Sequence, residues 1–90
     1  MAGMWGLDVE QVRQLSVELN SKSGEIETIA STLTSRLAST AWEGPDATRF
    51  RDDWQSIHLT ALNNVSQALA EAGNRAQQNA AEQESTSNAG

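Results

Sequence analysis

Ser39-Thr40-Ala41-Trp42-Glu43-Gly44-Pro45-Asp46 divides this ninety-residue chain into two halves of similar pattern, and its reading decides the fold. Gly44 suits a turn or cap position, and Pro45 suits the first residue of a new helix, where its missing N–H costs no intrahelical bond. Asp46 then places a carboxylate at the positive end of that helix's dipole. A turn of residues 40–44 is short, so the helices on either side of it run antiparallel.

Upstream, Asp8 is a favoured N-cap, and Gln11 three positions later completes a capping-box pattern. Leu7 and Val12 stand at the two positions of a hydrophobic staple. From there Val12, Leu15, Leu19, Ile26, Ile29 and Leu33 follow a coiled-coil-like heptad seam whose one gap is filled by Lys22. Ala30 and Leu37 widen that stripe. The stretch Asn20–Gly24 is rich in poor helix formers. Because Leu19 and Ile26 are one heptad apart, the phase survives the crossing, and the spacing predicts one unbroken helix over about 8–39. Gly24 falls on the expected outer face, with no packing reason for its presence.

Downstream, a second helix is expected over about 45–82. Its stripe is Phe50, Trp54, Ile57, Ala61, Val65, Ala68, Ala72 and Ala76, broadened by Leu62 and Leu69. Leu59 falls outside that stripe, on a face otherwise polar. After Gly73 the apolar residues shrink to Ala, and residues 83–90 are expected to form a flexible tail.

The fold class is therefore all-α, a single helical-hairpin domain over 1–90. Each helix is a rod of roughly 45 Å or more at ~1.5 Å rise per residue. Two such rods share one contact line, which is narrower than their apolar stripes. With one Phe, three Trp and no Tyr, the chain cannot fill a thick interior, and a core this small seldom supplies more than ~5 kcal/mol. It has no cysteine for a disulfide. Two hairpins packed into a four-helix bundle dimer are the expected solution. Val12, Leu15, Leu19, Ile26, Ile29, Leu33 and Leu37 on the first helix are expected to pack the hairpin or the dimer. So are Phe50, Trp54, Ile57, Leu62, Val65 and Leu69 on the second.

The formal charge of −6 is spread along the chain, and no basic patch is present, so nucleic acid is an unfavourable partner. No apolar run approaches the ~20 residues needed to span a bilayer, and stable membrane insertion is not expected. Residues 1–7 lack the basic start and long apolar run of a signal peptide.

No catalytic, cofactor or metal site is expected. His58 is the sole histidine, bordering the stripe of the second helix as a surface or interface residue or as a pH-sensitive contact. Arg49 and Asp53, with Asp52, read as a solvated helix face. Neither a phosphate-binding glycine loop nor a pair of histidines at ligand spacing occurs. The tryptophans divide by position: Trp54 packs, Trp5 covers the bundle end or meets a partner, and Trp42 either closes the hairpin end or is recognised.

Trp42-Glu43-Gly44 at mid-chain between two long helices, continuing as Pro45-Asp46-Ala47 and then Phe50 and Trp54, resembles the Trp-x-Gly (WXG) family. These are the early-secreted-antigen-type small substrates of type VII (ESX) secretion, about one hundred residues long, and the likeness covers essentially the whole chain. The resemblance implies a non-enzymatic hairpin that pairs with itself or a paralogue in an antiparallel four-helix bundle. It implies export from the cytoplasm by a machine powered by a secretion ATPase, without a cleaved signal peptide, to an extracellular destination. Trp42, Glu43 and Gly44 are then the turn and the export or partner-recognition motif. One departure stands out: the family's export signal, a Tyr followed four positions later by an acidic residue, is missing because the chain has no Tyr. Either a paralogous partner supplies it or the stretch 80–85 replaces it. Two other classes compete with this reading: an intracellular structural or adaptor bundle, and a membrane-active secreted effector, which the acidic polar faces disfavour.

Overall fold

The computed structural model describes residues 8–89, as a rod 67 Å long and 17 by 15 Å across. Helix α1 spans Val9–Ser39, α2 spans Pro45–Asp53, a π-helical turn spans Trp54–His58, and α3 spans Leu59–Ala89. The last three form one continuous rod that lies back along α1, so the fold is an all-helical hairpin.

The helix ends follow their local chemistry. The Asp8 carboxylate accepts a 3.0 Å hydrogen bond from the Gln11 amide, the N-cap bond expected from the sequence. α1 passes through Asn20–Gly24 without a break. Gly44 adopts φ +116°, a conformation an L-residue rarely takes, and Pro45 occupies the first position of α2 behind it. Expectations for Trp5 and for the Leu7 half of the staple lie outside the described residues.

The line along which the helices meet differs from the one the stripes predict. Its buried residues on α1 are Ser16, Ser23 and Ala30, at seven-residue spacing, flanked by half-buried Val12, Leu19, Ile26 and Leu37. On α3 they are Ser66, Gly73 and Ala80, again seven apart, flanked by half-buried Leu59, Leu62, Leu69 and Ala76. Small side chains bring the backbones close enough for hydroxyls of one helix to reach carbonyls of the other. Ser16 Oγ donates to the Gly73 carbonyl at 2.7 Å, and Ser23 Oγ to the Ser66 carbonyl at 2.7 Å. Ser66 Oγ also lies 3.0 Å from the Ser23 carbonyl and 3.0 Å from the Ser23 hydroxyl. Each such bond contributes about 1 kcal/mol net, provided both partners stay paired. Among the described residues no buried side-chain nitrogen or oxygen lacks a partner.

The π turn explains the shift on the second helix. The Leu59 amide donates to the Trp54 carbonyl five residues back, inserting one extra residue into the rod. One residue rotates everything downstream by about 100° relative to an uninterrupted helix. Leu59, assigned to a polar face by uniform spacing, therefore turns in against α1. Ala61, Val65, Ala68 and Ala72, expected on the apolar stripe, lie outside the contact line and are exposed.

The helix expected to end near residue 82 runs on to Ala89. Ala80 is fully buried, and Glu84 forms a two-bond ion pair with Arg13 at 2.6 and 3.0 Å, tying this stretch to the start of α1. Arg13, by hydrogen bonding and then by its charge, holds the Glu84 carboxyl below the usual carboxylate range. A lowered folded-state pKa contributes stability above the unfolded-state value and loses it as pH falls through the folded-state value. Both groups face solvent, so the loss expected below about pH 4 is small, fades in high salt and is absent from Glu84→Gln. Circular dichroism melts across pH 2–7 would measure it.

Candidate functional site

Two surfaces stand out, the turn and one broad apolar face. The turn is organised by a residue to which sequence reasoning gave no role. Arg51 reaches back across it: Nη1 donates to the Trp42 carbonyl at 2.7 Å, and Nη2 to the carbonyls of Thr40 at 2.9 Å and Leu37 at 3.2 Å. Its guanidinium thus satisfies the end of α1 and fixes the backbone that presents Trp42. Nothing in the spacing of Arg51 announces this, since the contact depends on where the turn folds. Thr40 Oγ1 and Ser39 Oγ both donate to the Arg36 carbonyl, at 2.6 and 3.2 Å, completing the cap. Arg51→Met keeps the aliphatic stem and removes all three bonds. It should cost about 2 kcal/mol, read by urea unfolding followed by tryptophan fluorescence.

Trp42, Glu43 and Gly44 are all exposed. The Trp42 indole is 40% accessible and leans on Phe50, with ring centroids 5.8 Å apart and planes tilted by 54°. It is partly packed and partly on offer. Truncating it forfeits one aromatic pair and part of its burial, so Trp42→Ala should lower stability by about 1 kcal/mol rather than the ~3–5 kcal/mol of a fully buried Trp. Chemical denaturation against the parent chain decides between the two.

Trp54 sits just behind the turn. Its Nε1 donates to Thr34 Oγ1 at 2.9 Å, and Thr34 donates in turn to the Ala30 carbonyl at 2.7 Å. His58 is exposed beside it, ring centroids 6.4 Å apart. Leu33, Arg36, Leu37, Thr40, Phe50 and Trp54 enclose an apolar hollow of about 150 Å³ near the turn.

The thirteen residues expected to pack the hairpin or the dimer divide into two sets. Val12, Leu19, Ile26, Leu37, Trp54, Leu62 and Leu69 are half-buried within the hairpin. Leu15, Ile29, Leu33, Phe50, Ile57 and Val65 keep 44–55% of their surface accessible. Leu15 and Leu19 share an open groove of about 450 Å³ with Ala68, Ala72 and Ala76, edged by Glu71, Arg75 and Asn79, so the outward-turned stripe of α3 and the exposed side of α1 form one face.

The ion pairs among the described residues are Arg13–Glu84 and the local Lys22–Glu25 at 3.2 Å; Arg49 and Asp52, read as part of a solvated face, are exposed, and Asp53 is half-buried. No group of three or more His, Asp or Glu residues among the described residues could hold a metal ion. No described helix is long and apolar enough to cross a membrane. Among the described residues the groove and the hollow near the turn are open contact surface. No family model, curated protein or solved structure matches the chain.

Proposed function

We propose that this chain is a non-enzymatic binding protein, one half of a four-helix bundle, that is exported by or co-exported through a type VII secretion system. The observation that carries the bundle is the row of large apolar side chains left about half in water, Leu15, Ile29, Leu33, Phe50 and Val65, while Ser, Gly and Ala fill the seam inside the hairpin. A hairpin that spends its smallest residues on its own contact line and shows its largest ones outward is built to meet another apolar surface. Its own seam buries little: among the described residues Ala30, Ala47 and Ala80 are the apolar side chains nearly closed to solvent.

The secretion reading rests on the resemblance of Trp42-Glu43-Gly44 and its flanks to the Trp-x-Gly family. Two features fit it: the motif lies exposed at the tip of the rod, and Arg51 clamps the backbone that displays it. In this reading Trp42, Glu43 and Gly44 are recognised by the export machinery or by a partner. The test is the appearance of the protein in culture supernatant. Secretion that ceases when the secretion ATPase is deleted, or when Trp42 is replaced by Ala in a chain that still folds, supports the proposal. Protein that stays inside cells regardless of that ATPase refutes the export half and favours an intracellular adaptor.

A further inference from the structure

We infer that the π turn is a joint: it holds one spare residue that keeps both ends of the second rod in phase with α1, and the turn end opens about it while α3 stays seated. The inference needs neither the bundle nor the export reading.

The second rod is pinned to α1 on both sides of the joint. Upstream, Arg51 donates to the carbonyls of Leu37, Thr40 and Trp42, and Trp54 Nε1 donates to Thr34 Oγ1. Downstream, Ser66 Oγ lies 3.0 Å from the Ser23 carbonyl, and the Gly73 carbonyl accepts from Ser16 Oγ at 2.7 Å. Trp54 and Ser66 stand twelve residues apart. In an unbroken α-helix twelve residues make three full turns and about 120° more, whereas eleven make three turns and about 20°. Both side chains reach α1, so eleven is the separation that fits, and the π turn absorbs the twelfth residue.

The joint itself is lightly held. Gln55, Ser56, Ile57 and His58 are all exposed. The Ser56 hydroxyl donates within its own rod, to the Asp52 carbonyl at 2.8 Å, and the His58 ring lies beside Trp54 of the same rod. A widened, exposed turn between two pinned stretches is where a helix bends and where local opening costs least. Opening there releases the Arg51 and Trp54 bonds together and frees Trp42. The Ser23–Ser66 and Ser16–Gly73 bonds stay made.

Two single-residue deletions test the spare residue. Deleting Ser56 sets Trp54 and Ser66 eleven apart, so that variant should melt at or above the parent at equal concentration. Deleting Gln67 sets Ser66 and Gly73 six apart, where they cannot both face α1, and should lower the melting point by about 10 °C or more. Hydrogen exchange read by mass spectrometry tests the opening. In the parent, residues 45–58 should exchange about tenfold faster than residues 62–80, and deleting Ser56 should slow them. A Ser56 deletion that melts below the parent, or fails to fold, shows that the twelfth residue is needed and overturns the inference. So does exchange over 45–58 that is as slow as over 62–80, or equally fast with and without Ser56, which is fraying of a hairpin end.

Discussion

Gly73→Leu is expected to destabilise the protein by about 3 kcal/mol, while Gly24→Ala should stabilise it by about 1 kcal/mol. The two glycines are far apart in meaning. A Cβ on Gly73 would lie 2.6 Å from Asn20 Nδ2 and 3.1 Å from the Ser16 carbonyl oxygen; one on Gly24 would meet nothing within 4 Å. Asn20 can swing aside, but the Ser16 oxygen belongs to the α1 backbone and moves only if the helix moves. A leucine there pushes the rods apart and stretches the 2.7 Å bond from Ser16 Oγ to the Gly73 carbonyl. With it go the backbone approaches that let Ser23 and Ser66 exchange hydroxyl bonds. At Gly24 no contact opposes the helix-propensity gain of Ala. Urea midpoints for the two variants, at equal protein concentration, should fall on opposite sides of the parent.

Leu33→Asp is expected to have the second large effect, and its size separates a lone hairpin from an assembled one. In the single chain Leu33 is 46% accessible, so a carboxylate there would remain hydrated and cost about 1 kcal/mol or less. In the proposed bundle the same side chain is covered, and an unpaired buried carboxylate costs several kcal/mol. Assembly and folding are linked by mass action, so the variant should lose helix and dimer together. Circular dichroism and sedimentation on one sample would show both, with Ile29→Asp behaving alike. A variant that stays helical, with a melting point within a few degrees of the parent, would mean the face is not covered.

Much of the hairpin is legible in the sequence because its signals are local. Asp8 with Gln11 marks the start of α1, and Gly44 with Pro45 fixes the end of the turn. The whole heptad between Leu19 and Ile26 carries α1 through Asn20–Gly24. The inner seam was harder to read, because hydrophobic periodicity assumes that the largest residues face the nearest neighbour. Here Ser16, Ser23 and Ala30, and then Ser66, Gly73 and Ala80, do so instead. Their seven-residue spacing is visible in the sequence, but as small and partly polar residues they carry no weight in a hydrophobicity pattern. The one-residue insertion at Trp54–His58 had no local signal at all, and uniform spacing past it misplaced Leu59. Arg51 was missed for a similar reason: its partners are carbonyls of Leu37, Thr40 and Trp42, brought within reach only once the turn has closed. At the candidate site, position and pattern singled out Trp42, Glu43 and Gly44, while the support beneath them came from the three-dimensional arrangement.

The proposed bundle is tested most directly by following helicity and mass together as the purified chain is diluted. The account predicts a particle of twice the 9.7 kDa chain mass at micromolar concentration, and loss of helix in step with dissociation as the concentration falls. A particle of single-chain mass that keeps its full helical signal and unfolds cooperatively, at a midpoint independent of concentration, would contradict it.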